Sequence, residues 1–204
     1  MKLLLGTSNT GKIVEVREAV GALPLEIVAP ADIGISISPH EEGDTFRANA
    51  LQKAHFYFQN GGGLPTLADD SGIEVEALID ELGIHTRRWG AGKEASDHRW
   101  IEFFLDRMRS ERNKCARFLC TLCFIDAQGR EHFFEGECRG SITDELEADF
   151  LPGLPISACF KPDGYDRVYS ALGIEEKNRI SHRGKALQLF SEYISQEPSF
   201  KRVA

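Results

Sequence analysis

Lys2-Leu3-Leu4-Leu5, then Gly6-Thr7-Ser8-Asn9-Thr10-Gly11-Lys12, then Ile13-Val14-Glu15-Val16-Arg17-Glu18-Ala19-Val20, is an apolar run, a polar loop and a helix-forming segment in succession. The order reads as strand, loop, helix. Leu25 to Val28 supplies a second strand, so the chain opens as β-α-β, the arrangement that sets a ligand-binding loop at a strand's carboxyl end. Hydroxyls, an amide, a glycine and a lysine at a helix N-terminus can all donate to phosphate oxygens. The loop is not a G-x-x-x-x-G-K-[ST] P-loop, and a simple capping turn would use the same Ser, Thr and Asn.

Further along, Asp44-Thr45 caps a helix carrying Phe46, Ala50, Leu51, Ala54 and Phe58, which Gly61-Gly62-Gly63 ends. Leu67-Ala68 leads into Asp69-Asp70-Ser71-Gly72, read as a strand end turning at glycine, with Ile73-Glu74-Val75 starting another strand. A helix from about Ser96 places Trp100, Ile101, Phe104, Leu105 and Met108 on one face, a core stripe rather than a cofactor box. Ala116 to Asp126 alternates as a strand, and the turn Ala127-Gln128-Gly129 returns the chain through Arg130 to Cys138 as an antiparallel hairpin. The sheet is therefore mixed. A last helix begins near Ser181, with Ala186, Leu187, Phe190, Tyr193 and Ile194 on its inner face.

Composition limits what such a chain can be. Its 204 residues, 42% hydrophobic and 27% charged, belong to an ordinary globular protein and suffice for one domain. A net charge of -8 gives no general attraction to a nucleic-acid backbone, so no nucleic-acid partner is expected. No run of 18 to 20 apolar residues is present, so no membrane partner is expected and the protein is placed in the cytoplasm. Five cysteines without framework spacing read as core residues of a reducing compartment. Cys120 and Cys123 are three apart on a strand, so they face opposite ways and do not form a zinc or redox pair.

Two further groups bear on chemistry. Asp69 and Asp70 are adjacent carboxylates whose side chains diverge, so one can enter a cleft and hold Mg²⁺ or deprotonate a water while the other braces the turn. A plain Asx turn would look the same. Glu175-Glu176-Lys177 and Ser181-His182-Arg183-Gly184-Lys185 gather cations at a helix N-terminus against the macrodipole, which invites either an anionic ligand or a solvated helix start.

Taken in order, Thr7-Ser8-Asn9-Thr10-Gly11-Lys12 with Glu15, Thr45-Phe46 and Asn49-Ala50 with Lys53-Ala54, Leu67-Ala68-Asp69-Asp70-Ser71-Gly72, Ala116-Arg117-Phe118 and Ile180-Ser181-His182-Arg183-Gly184 resemble the inosine triphosphate pyrophosphatase family over nearly the whole chain. The resemblance implies an α/β fold with a long mixed β-sheet, flanking helices and two lobes around a central substrate cleft, residues 1–204 forming that single domain. It also implies a homodimer. The substrate it implies is a small-molecule nucleoside triphosphate of a non-standard purine, cut to monophosphate and pyrophosphate by attack of a metal-oriented water on the α-phosphorus. By matching position, Thr7, Ser8, Asn9, Thr10, Gly11 and Lys12 cradle the triphosphate, Lys53 adds a cation, and Asp70 is metal ligand and general base with Ser71 beside it. The implied cofactor is Mg²⁺, with Mn²⁺ as a substitute. Lys177, His182 and Arg183 line the purine side of the cleft, where donors to O6 reward a 6-keto base and leave adenine's amino group without an acceptor.

The chain departs from the family at three places. Ala48 stands where the pattern T-F-x-E-N-A has a metal-binding glutamate, which predicts weaker metal affinity unless Glu15, Glu41, Glu42, Asp44 or Glu74 supplies a carboxylate. Leu154, Pro155, Ile156 and Ser157 occupy the F-G-Y-D base loop, so its stacking aromatics and carboxylate are gone and base choice is open to change. Arg87 replaces a small residue in Thr86-Arg87-Arg88, and Trp89 beside it is either a buried structural residue or a substitute platform. The rival reading is a nucleotide-binding protein of the same fold with impaired catalysis.

Overall fold

The structure is a computed structural model and describes residues 1–79, 81–92 and 94–197. In chain order β1 spans Lys2–Leu5, α1 Thr10–Ala19, β2 Glu26–Val28, α2 Phe46–Asn60, β3 Thr66–Val75 and α3 Asp97–Met108. They are followed by β4 at Cys115–Ile125, β5 at Glu131–Ile142, β6 at Phe160–Pro162, α4 at Ile174–Ile180 and α5 at His182–Gln196. One mixed sheet runs β2-β1-β3-β4-β5-β6. β1 is parallel to β2 and β3, and every pair beyond β3 is antiparallel. The expected α/β fold with a long mixed sheet is present.

Side-chain alternation explains which helix covers which face. Leu3, Leu5, Leu67, Cys120, Leu122 and Phe124 point to the side where α1 and α5 bring Val16, Ala186, Leu187 and Phe190. Ala68, Cys123 and Ile125 point the other way, against Ala50 and Ala54 of α2. Beyond them Ile73 and Val75 meet Trp100, Ile101, Phe104 and Met108 of α3. Cys120 and Cys123 thus lie in different cores. All five cysteines are free, and burial pushes both of these thiols up to about 12.

The reading of Asp69-Asp70-Ser71-Gly72 as a turn is wrong. Thr66–Val75 is one continuous strand, and each of its ten residues pairs with β4, Thr66 opposite Ile125 through Val75 opposite Ala116. The ladder overrides the turn-like composition. Gly72 serves close packing instead: a Cβ there would lie 2.2 Å from the Gly83 carbonyl oxygen.

Unequal strand lengths position the site. β1 has four residues and pairs with β3 only through Leu4 and Leu5, opposite Thr66 and Leu67. The last link is Gly6 N–H donating to the Leu67 carbonyl, after which the chain leaves for the polar loop. From Ala68 onward β3 has no strand on that flank among the described residues, and a hollow opens there.

Candidate functional site

A cavity of about 640 Å³ fills this hollow, within the size range of small-molecule sites. Its polar end is lined by Thr7, Ser8, Lys12, Lys53, Asp70 and Ser71, and its far wall by Leu154, Pro155, Ile156, Ser157, Phe118 and His182. Lys177 and Arg183 also reach it.

Asp69 and Asp70 point to opposite faces of β3, and each meets its own cations. The Asp69 carboxylate pairs with Lys12 at 2.9 Å and with Arg183 at 3.3 Å. Burial opposes its charge, yet Lys12, Arg183 and Lys53 together hold its carboxyl far below the usual range. Asp70 faces α2, where Lys53 Nζ donates to Oδ1 at 2.8 Å and Asn49 Nδ2 to Oδ2 at 3.1 Å. Burial, the largest influence, pushes the Asp70 carboxyl above the ordinary aspartate value despite Lys53 and Lys12. For Lys53 burial again opposes the charge, and Asp70, Asp69 and Glu41 outweigh it, so the ammonium is held above the ordinary lysine range. Of the two carboxylates, Asp69 is the permanently ionised brace and Asp70 the more basic group.

The cations at the start of α5 also have an internal explanation. Arg183, 3% exposed, is paired with Glu15 of α1 as well as Asp69, and its Nη2 donates to Ser71 Oγ at 2.9 Å. Glu15 takes Lys177 on its other oxygen. Carboxylates of the chain therefore balance the charges that the sequence suggested for an anionic ligand. Ser181 caps the helix by accepting from Gly184 N–H. His182 is buried and stacks at 4.6 Å on Phe118. Burial, then Arg183, hold its pKa well below the ordinary histidine value. The ring is therefore neutral, and its Nδ1 finds no hydrogen-bond partner among the described residues.

Two expected phosphate contacts are not brought to the cavity, since Thr10 and Gly11 do not line it. Gly11 N–H donates instead to the Pro152 carbonyl at 3.2 Å, where a Cβ would lie 2.6 Å from that oxygen. Asn9 does reach the cavity, but both ends of its amide are engaged, Oδ1 by Lys12 N–H as helix cap and Nδ2 by the Gly153 carbonyl. Trp89 is structural: it packs edge-on against Trp100, Phe103 and Phe104. Arg87 lines the cavity and is half-exposed, donating to the Ala95 carbonyl at 2.8 Å.

Glu41 is the least legible member of the site. It comes from the irregular segment 36–44, and its Oε1 accepts from Lys53 Nζ at 2.9 Å. Arg88 Nη1 fixes that segment by donating to the Glu41 carbonyl, also at 2.9 Å. No three His, Cys, Asp or Glu side chains converge among the described residues, so a cage made by protein alone is absent there. Mg²⁺ needs no such cage, since it keeps waters and takes one or two carboxylates with phosphate oxygens. Asp70 and Glu41 fit that demand, because both already converge on one cation, the Lys53 ammonium. Of the other carboxylates, Glu15 is tied to Arg183 and Lys177, and Glu74 to Arg117.

Relatives of this chain are known. Residues 3–193 match the profile of the Ham1 family. A dITP/XTP pyrophosphatase of Leptospira interrogans is 35% identical over 199 residues, covering 97% of this chain and 98% of that one. One from Thermus thermophilus is 36% identical over 207 residues, covering 100% and 97%. Among solved structures, a HAM1 protein from Coxiella burnetii superposes with a TM-score of 0.80 at 29% identity, covering 97% of this chain and all of that one. The Staphylococcus aureus Ham1 protein gives 0.78 at 26%, over 96% and 98%. With full-length relatives above 30% identity and a profile match across nearly every residue, the chain belongs to the Ham1 family.

Proposed function

We propose that this chain hydrolyses the triphosphates of non-standard purines (inosine, deoxyinosine and xanthosine) to monophosphate and pyrophosphate, and so removes them from the nucleotide pool. One observation carries the proposal: Asp70, Lys12 and Lys53 share a single cavity with an apolar wall and the neutral ring of His182 stacked on Phe118. A polyphosphate suits the first end and a planar base the second. The naming of the relatives from Leptospira interrogans and Thermus thermophilus as dITP/XTP pyrophosphatases supports the same reading.

In this reading Asp70 takes the proton of the attacking water, and the upward push that burial gives its carboxyl makes it a better base. Lys12 and Lys53 lie where charge grows on the departing pyrophosphate, the kind of fixed stabilisation that carries phosphoryl transfer. Thr7 and Ser8 offer hydroxyls to phosphate oxygens, while Ser71, which donates to Asp69 and accepts from Arg183, braces the wall beside Asp70. Neutral His182, backed by Phe118, adds an uncharged ring to the lining of the base end, while Lys177 and Arg183, set by Glu15, line the same region. Mg²⁺ or Mn²⁺ bound by Asp70 and Glu41 would supply charge neutralisation for the triphosphate. Residues 1–204 act as one catalytic unit. A cytoplasmic homodimer belongs to the same proposal and rests on the family resemblance; light scattering tests the dimer.

The test is pyrophosphate release across purine and pyrimidine triphosphates with Mg²⁺ and with Mn²⁺. Wild type should prefer inosine and xanthosine triphosphates. Asp70→Asn should lose about 10²–10³ in kcat, the scale of one essential polar group. Binding without turnover would select the rival in which catalysis is lost.

A further inference from the structure

The apolar wall at 154–157 has no strand partner over its length; it begins as a short 3-10 turn, Pro155–Ala158, after an irregular stretch. Its anchor is Gly153. The Gly153 N–H donates to Asp97 Oδ2 at 2.6 Å, and its carbonyl accepts from Asn9 Nδ2 at 3.1 Å. Gly153 adopts a left-handed backbone with φ of 80°, and a Cβ there would lie 2.4 Å from Asn9 Nδ2. The two loops therefore touch with no room for a side chain. Asn9 Oδ1 meanwhile holds Lys12 N–H. A chain of bonds thus runs from the first turn of α1, which carries Lys12, through Asn9 and Gly153 to Asp97 at the start of α3.

An aspartate in a first helical turn commonly serves its own helix. Here Ser96 does that work by accepting from Arg99 N–H, and Asp97 Oδ2 is spent on Gly153. Its other oxygen lies 4.0 Å from Arg87, another residue of the cavity. We infer that Asp97 is a positioning residue for substrate choice: by gripping Gly153 it sets the distance between the phosphate-facing loop and the wall that receives the base. The inference rests on the pyrophosphatase reading, and it assigns Asp97 no contact with substrate. A rigid wall placed in this way would compensate for the aromatic residues that the base loop lacks.

The test compares Asp97→Ala, Asp97→Asn and wild type as full-length chains, measuring kcat and KM for inosine and adenosine triphosphates and the inhibition constant of inorganic tripolyphosphate. Loss of a charge-assisted bond should raise the KM for inosine triphosphate about 10- to 100-fold in the alanine variant, with kcat within about threefold. Tripolyphosphate, having no base, should inhibit as before, and the preference for inosine over adenosine should narrow. Asp97→Asn keeps an oxygen for Gly153 and should recover most of the KM. If the alanine variant does not fold, Asp97→Glu moves the acceptor by one methylene and should show the same split. An unchanged KM, a parallel shift in tripolyphosphate inhibition, or an asparagine variant as poor as alanine would overturn the inference. Wild type inactive on every triphosphate would sink the pyrophosphatase reading alone, and dissociation constants for inosine triphosphate across the same variants would still decide the role of Asp97.

Discussion

Replacing Glu15 by Gln removes one negative charge from a buried chain of alternating charges, Lys177, Glu15, Arg183, Asp69 and Lys12. The amide keeps the shape of the side chain, so packing is little changed. What changes is that Lys177 loses its carboxylate, and Arg183 keeps only Asp69, which it already shares with Lys12. Stripping one partner from a buried ion pair costs about 3–5 kcal/mol, because the remaining charge stays desolvated. At about 2–4 °C of midpoint per kcal/mol for a chain of this size, the variant should unfold roughly 6–20 °C below wild type at pH 7.5. The sign of the pH dependence follows from Glu15's carboxyl, which burial pushes up but Arg183 and Lys177 pull below the ordinary glutamate value of 4.5. Its contribution is present above that value and is lost as pH falls further. The gap between variant and wild type, read by urea titration, should therefore be full at pH 7 and shrink below about 4.5. A midpoint within 2 °C of wild type at pH 7.5, or a gap unchanged at pH 4, would refute this account of the network.

Two further outcomes are expected. Asp126 is 1% exposed, and although burial pushes the other way, bonds from Arg130, His132 and Gln128 lower its carboxyl to about 2; the stability it confers is present above the unfolded value of 3.8 and lost between there and pH 2, so Asp126→Asn should flatten the acid unfolding curve over that interval. Gly72→Ala should destabilise by about 1–3 kcal/mol through overpacking, since the added carbon would meet the Gly83 carbonyl at 2.2 Å; calorimetry giving an unchanged midpoint would mean that the segment at Gly83 yields freely.

How far the sequence could be read depended on whether a signal was local. Apolar runs and caps are local, and so Lys2–Leu5, the capped helix after Thr45 and the stripe on Asp97–Met108 were legible. Phe160–Pro162 and Ile174–Ile180 are too short to show a period and were not read as strand and helix. Asp69-Asp70-Ser71-Gly72 misled because its composition is that of a turn, while the pairing that straightens it comes from residues some fifty positions later. At the site, Asp70, Lys12 and Lys53 were legible by resemblance and do converge. Glu15 reads in the sequence as one of five carboxylates open to a metal and is instead the counter-ion of Arg183, a contact across 168 positions that no spacing announces. Asn9 was expected to face phosphate, and the loop around Gly153 that occupies its amide lies 144 residues away.

Where a long strand outlasts its shorter neighbour, the notch that remains lets one molecule reach round an edge and touch both surfaces of the sheet. Asp69 and Asp70, which the pleat sends to opposite sides, can in this way bear on one cavity, Asp70 by lining it and Asp69 through Lys12. The arrangement is intolerant of slippage. Deleting Ala68 would move the following residues one place along the ladder, setting Asp70 against Arg183 and leaving Ser71 rather than a carboxylate opposite Lys53.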